Sequence, residues 1–457
     1  MKKSLFIASL LSAALLATWA HAETTFRVRI ENVSRTYPFS TSGLFNTPSG
    51  ATDPAPIGPG QAYQFTVLAS VGARLSFATM FVPSNDLFYG PDENGIALYG
   101  ADGTPVSGDV TDQVMLWDAG TEENQEPGVG SDQAQRQSGA DTGMADADAT
   151  VRMVSDAFTY PATDEVLRVT IDSGMAPEFT VRIENVSTAN TLQPSDASMQ
   201  AVPLAPGVWV VHTDPGPLFT PGEADRAEGL GALAEDGNPV GLGAALAEST
   251  GITVPLAPGI WAVHEDAMPL FAAGHPDRGD GLEALAEDGN PAMLAPVVAG
   301  QPSVLSGDAF TTPIGGSDPA PIGPGGAYEF TFTAPAGARL SFATMFVHSN
   351  DLFYAPGEDG IALYHGDGTP VTGDVTDHVM LWDAGTEQNQ APGVGLDQAP
   401  RQSGADTGAP DPDSSLRLVD DMFMYPQVSD VLRVSISPIA ATAVSSSSWG
   451  QIKQSLR

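Results

Sequence analysis

Apolar and polar positions alternate in short runs along this chain. From 26 to 33, Phe26, Val28 and Ile30 fall on one face and Arg27, Arg29 and Glu31 on the other. A period of two is that of a half-buried strand. Runs at 63–68, 74–82, 96–99, 114–117, 151–154 and 166–171 predict further strands, with Gly, Pro, Asp and Asn between them as turn formers. Asp102-Gly103 and Asp367-Gly368 read as hairpin turns. Some seven short strands at this spacing predict an antiparallel sandwich. Two stretches differ. Residues 228–234 and 280–286 predict short helices that stop at Asp236-Gly237 and Asp288-Gly289, where glycine takes the left-handed cap conformation.

The patterns repeat. Residues from about 42 to 171 recur from about 306 to 436, a shift of 265, as in Asp53-Pro-Ala-Pro-Ile-Gly-Pro-Gly60 and Asp318-Pro-Ala-Pro-Ile-Gly-Pro-Gly325. The first strand, Val28-Arg-Ile-Glu-Asn-Val-Ser34, recurs as Val181-Arg-Ile-Glu-Asn-Val-Ser187 after a shift of 153. The mismatch comes from a unit that is itself duplicated after 52 residues, at 202–253 and 254–297. Val202-Pro-Leu-Ala-Pro-Gly-Val-Trp209 matches Val254-Pro-Leu-Ala-Pro-Gly-Ile-Trp261, and Leu233-Ala-Glu-Asp-Gly-Asn-Pro239 matches Leu285-Ala-Glu-Asp-Gly-Asn-Pro291. The expected organisation is all-β. A sandwich domain at 23–174 lacks the unit, and a second at 178–437 carries it twice, with short helical insertions. Without the unit the first domain would leave a sheet edge open, and the spare copy could pair with it.

Composition narrows the partners. The 457 residues carry 56 acidic and 18 basic side chains, a net charge of −38. A phosphate backbone needs a basic stripe, so nucleic acid is excluded, and an anionic membrane surface is disfavoured. Lysine occurs only at Lys2, Lys3 and Lys453. Residues 1–22 have the form of a signal peptide: Lys2-Lys3, an apolar stretch over 5–17 and an Ala20-His21-Ala22 cleavage site. The expectation is a secreted, periplasmic or cell-surface protein cut near Ala22, with no transmembrane segment further on. Residues 438–457 form an Ala/Ser-rich tail. Cysteine is absent. An exported domain without disulfides needs another staple, and a bound metal is one.

The acidic residues suggest where a metal would sit. Asp86 follows the 74–82 strand, and Asp118 and Glu122 belong to Trp117-Asp-Ala-Gly-Thr-Glu122 at the end of the next long strand. Their twins are Asp351, Asp383 and Glu387. Three hard oxygens at one end of a sandwich suit Ca²⁺, and without a cation they would repel one another. The plainer reading is solvated surface acid in a very acidic chain. His212 and His264 share a strand-end position and read as packed, hydrogen-bonded side chains. Trp117 and Trp382 read as core anchors. Asp118 and Glu122 would also make a glycosidase pair, but 7% aromatic residues make a sugar cleft hard to line. No Gly-x-Ser-x-Gly elbow, P-loop or Rossmann fingerprint occurs. The chain reads as non-enzymatic.

The blocks Ser84-Asn-Asp-Leu-Phe-Tyr89, Leu116-Trp-Asp-Ala-Gly-Thr-Glu122 and Gly281-Leu-Glu-Ala-Leu-Ala-Glu-Asp-Gly-Asn290 resemble the N-terminal-type spondin domain, over 26–172 and 179–437. The resemblance implies C2-like β-sandwiches that bind Ca²⁺ at one end. Carried over, the ligands are Asp86, Asp118 and Glu122, then Asp351, Asp383 and Glu387, the last acid of each set being Asp in the animal proteins. It implies a calcium-binding adhesion or binding module for an extracellular protein or glycan. A structural surface protein without a specific ligand is the alternative, and a carboxylate-dependent hydrolase a remoter one.

Overall fold

The computed structural model describes residues 23–174, 177–266 and 268–439. The expected signal segment, Met175-Ala176 at the expected domain boundary, and residues 440–457 of the tail lie outside them. The fold is an all-β sandwich architecture with short helices, every sheet being antiparallel. It is built twice. Each copy stacks a four-stranded sheet on a seven-stranded one.

In the first sandwich the smaller sheet runs Ala62–Leu68, Glu178–Asn185, Leu167–Ser173, Gly108–Asp109. The larger runs Phe39–Phe45, Leu204–His212, Arg74–Phe81, Leu87–Pro91, Val114–Asp118, Arg152–Met153, with Ile96–Ala97 beside Arg74–Phe81. The second sandwich follows the same order. Its smaller sheet is Ala327–Ala334, Thr24–Asn32, Leu432–Ile439, Gly373–Asp374. Its larger sheet is Val304–Phe310, Leu256–His264, Arg339–Phe346, Leu352–Pro356, Val379–Asp383, Arg417–Leu418.

These pairings correct the boundaries drawn at 23–174 and 178–437. The N-terminal strand belongs to the second sandwich, where Val28 pairs with Phe330 and Ile436. Its repeat, Glu178–Asn185, takes the matching place in the first, where Val181 pairs with Phe65 and Ile171. The duplicated units are shared out one to each sandwich. Leu204–His212 lies between Phe39–Phe45 and Arg74–Phe81, and Leu256–His264 lies between Val304–Phe310 and Arg339–Phe346. The first sandwich is thus the continuous stretch 39–250, and the second is 24–32 joined to 254–439. Neither unit is surplus. The physical reason is the open edge foreseen from the sequence: the segment after residue 39 has no unit ahead of it and takes the one that follows.

Two apolar layers flank each larger sheet. Between the sheets of the first sandwich lie Tyr63, Phe77, Phe81, Val169, Val181 and Ile183, and between those of the second Phe26, Val28, Ile30, Tyr328, Phe342 and Val434. On the outer face, helices Leu230–Asp236 and Val240–Glu248 set Leu230, Leu233, Leu242 and Leu246 on Ala78, Phe88, Val208 and Val210. Helices Leu282–Asp288 and Leu294–Ala299 do the same on Ile260, Ala262 and Phe353. Covered on both faces, the Arg74–Phe81 strand is buried along nearly its whole length, which is why its sequence runs apolar beyond simple alternation. The first helix of each unit starts two residues later than expected, and it ends on Gly237 and Gly289 in the left-handed conformation (φ 64° and 66°). The second helix of each unit was not expected. No helix among the described residues is long and apolar enough to cross a membrane.

Candidate metal centre

The expected acids stand at one end of each larger sheet. Asp118 closes the Val114–Asp118 strand opposite Leu87, so Asp86 and Asp118 sit at adjoining strand ends. A tight turn fixes Asp86: Ser84 Oγ donates to the Phe81 carbonyl at 2.6 Å and accepts the Leu87 N–H at 3.1 Å. Asp86 Oδ2 accepts the Thr121 N–H and the Glu122 N–H, both at 3.0 Å, and the Thr121 hydroxyl at 3.3 Å. Gly120 makes this wrap possible. Its φ is +70°, and a Cβ there would strike the Thr150 backbone.

Asp118 Oδ1 accepts the Gly120 N–H at 2.7 Å. Its Oδ2 accepts from Asn124 at 2.7 Å and pairs with Arg152 at 2.7 Å. Arg152 also holds Asp146 at 2.5 Å. Glu122 turns its side chain towards the 139–146 loop, where Oε1 accepts the Gly143 N–H at 2.6 Å. A Cβ on Gly143 would collide with that carboxylate. The second sandwich repeats the arrangement. Asp351 Oδ2 accepts from Thr386 and Glu387 at 2.8–3.0 Å, Arg417 pairs with Asp383 at 2.7 Å, and Glu387 accepts the Gly408 N–H at 2.5 Å.

Electrostatically these are reluctant anions. Burial, then the charge of Asp118, pushes Asp86 well above the ordinary carboxylate range. Asp383 is pushed up to about 6 by burial and by Asp351. Burial also raises Asp118, Glu122, Asp351 and Glu387. Asp86 Oδ1 and Asp351 Oδ1 are buried without a donor, as are Asn124 Oδ1 and Asn350 Oδ1. An all-oxygen set with an unpartnered carboxylate oxygen at its centre fits a hard divalent cation.

The structure therefore brings Asp86 to Asp118, and Asp351 to Asp383, but directs Glu122 towards a neighbouring cleft, while Glu387 accepts from Gly408 and from Asn350 Nδ2 at 3.2 Å and lies near Glu287. Among the described residues, the three acids whose oxygens lie within 4.8 Å of one another are Glu283, Glu287 and Asp406, and neither expected triplet forms such a group. Sequence reasoning missed Arg152 and Arg417, which pair with one acid of each set. The recurrence of Arg152 as Arg417, in Thr150-Val-Arg152 and Ser415-Leu-Arg417, was the available signal. It also missed Glu235 and Glu287, although the repeated Ala-Glu-Asp-Gly-Asn block carries them. His212 and His264 are hydrogen-bonded strand-end residues as expected: Nε2 meets Ser76 Oγ and Ser341 Oγ, each at 2.9 Å. Trp117 and Trp382 are core anchors, packed on Phe219 and Phe271 at 4.8 Å between ring centroids.

No family model matches the chain, and no curated protein matches its sequence.

Proposed function

We propose that this is a secreted calcium-binding module of two spondin-like sandwiches that presents an extracellular binding or adhesion surface. The observation that carries the metal is the buried, unpartnered Oδ1 of Asp86 and its exact counterpart on Asp351, at the same sheet end of both sandwiches. Asp86 and Asp118, and Asp351 and Asp383, would hold the ion, with Glu122 and Glu387 near enough through their backbone to fix the loop. A bound calcium ion supplies positive charge that, among the described residues, Asp118 draws from Arg152 and Asp383 from Arg417, and that Asp86 and Asp351 draw from no ion pair. The protein's own part is to prearrange the loop: Thr121 and Thr386 orient one carboxylate, and the glycine turns close on it.

Export rests on the form of residues 1–22, and adhesion rests on the resemblance of the repeated blocks. The test is calorimetry and thermal melting of the chelator-stripped chain. Ca²⁺ is expected to give heat and a higher melting temperature, both lost on combining Asp86→Asn with Asp351→Asn. No heat and no melting shift in the unmutated chain would overturn the reading.

A further inference from the structure

Beside each expected calcium site lies a second group of acids, contributed by three separate parts of the chain. In the first sandwich Glu235 comes from the helix of the 52-residue unit, Asp141 from the 139–146 loop and Glu122 from the loop after the Val114–Asp118 strand. They line an open cleft of about 530 Å³ together with Thr121, Gly143 and Asp225. Glu235 is only 4% exposed and Glu122 only 5%, and Oε2 of each has no hydrogen-bond partner. Two buried carboxylate oxygens thus face one cleft with nothing to satisfy them.

The second sandwich holds the same group at the shifted positions. Glu287, 1% exposed, accepts the Asp406 N–H at 2.6 Å, and Glu387 is close enough to raise its proton affinity. Oxygens of Glu283, Glu287 and Asp406 lie within 4.8 Å of one another. Burial, with Glu387, Asp288 and Asp406 nearby, lifts Glu287 to about 7. Among the described residues, none of the ion pairs involves Glu122, Glu235, Glu283, Glu287, Asp141 or Asp406. Here the contrast with Asp118 is sharp, since Asp118 has its arginine.

We propose that each sandwich carries a second site for a hard divalent cation of the Ca²⁺ class, held by Glu235, Asp141 and Glu122 in the first and by Glu287, Glu283, Asp406 and Glu387 in the second. The cation ties the helix of the 52-residue unit to two loops of the sandwich that unit completes. All its ligands are carboxylate oxygens, the donor set that such ions prefer. The site is built from a different acid set than Asp86 and Asp118, and it stands whether or not that pair binds metal.

The test counts ions on the full chain, stripped with chelator and then given Ca²⁺ alone, by native mass spectrometry. Two ions per sandwich are expected. Glu235→Gln should remove one ion from the first sandwich and Glu287→Gln one from the second. Asp86→Asn with Asp351→Asn should remove the other pair. Glu283→Gln, at a partly exposed helix position, weakens the second sandwich's site without disturbing a buried side chain and guards against a folding defect in Glu287→Gln. An ion count that Glu235→Gln and Glu287→Gln leave unchanged, or no bound ion in the unmutated chain, overturns the inference. So does loss of the same ions in the Glu and the Asp variants, which would make the two groups one site. Loss of ions in the Glu variants alone, with the count unchanged by the Asp variants, supports this inference and removes the ligand assignment made above.

Discussion

At the scale of single residues, the two sandwiches differ most clearly at His348, where the first has Pro83. Burial, and then the neighbouring Arg401 guanidinium, pushes His348 down to about 4, while a hydrogen bond with the Thr253 backbone opposes the shift. Its Nδ1 is buried without a partner. A histidine depressed on folding contributes stability that is complete above its unfolded value, near 6.5, and is lost as pH falls towards 4. Between pH 7 and pH 5 this amounts to about 2 kcal/mol. The raised carboxyls of the acid clusters act in the opposite sense, since they favour the fold when protonated. The expected outcome is therefore a difference: the urea-unfolding free energy of the native chain should drop by about 2 kcal/mol more than that of His348→Gln over this pH range. An equal drop in both would show that His348 is solvated. The unshared histidine was visible in the sequence, but its burial was not, because burial depends on which loops close over it.

At the scale of elements, much was legible. The strands at 26–33, 63–68, 74–82 and 114–117 fall within a residue or two of those formed. The first has a period-two pattern with one buried face, whereas 74–82 was legible as a short apolar run bounded by turn formers. Phe39–Phe45 and Leu87–Pro91 were not foreseen. The first shows little apolar alternation, and the second is buried at every position and so has no polar beat. The acids at the strand ends were legible as candidates. Where Glu122 points was not, because the helix it faces comes from a unit more than a hundred residues away. Partner choice was the least legible feature. Val28–Ser34 and Val181–Ser187 are identical, so sequence alone cannot say which sheet each joins. The structure shows what pins them. Asn32 Nδ2 donates to the Val254 carbonyl at 2.7 Å and the Ile322 carbonyl at 3.0 Å, and Asn185 bonds Val202 and Ile57 in the same way. Each asparagine ties its strand to one copy of the unit. Asn32→Ala leaves two buried carbonyls without these donors and should cost the second sandwich about 2–3 kcal/mol, read from its denaturant midpoint. Asn185→Ala should do the same to the first sandwich only. A reversed assignment would refute the strand exchange.

At the scale of the whole molecule, the counts of none and two become one unit each. Because the first sandwich is one continuous stretch, residues 39–250 expressed alone should fold with cooperative melting. Removing residues 23–33 from the full chain should leave that sandwich intact. Hydrogen exchange should then rise in Ala327–Ala334 and Leu432–Ile439, which lose the strand between them. Equal loss of protection in both sandwiches would contradict the pairing. The same exchange sets how the molecule bears load. Thr25 lies opposite Ile439, so the two ends of the described chain are neighbours in one sheet. Tension applied between those ends acts across antiparallel hydrogen bonds and opens them one at a time, as a zipper rather than in shear. The first sandwich sits inside the loop this zipper closes and feels no pull until it has opened. The second sandwich acts as the mechanical fuse, and the first is sheltered behind it.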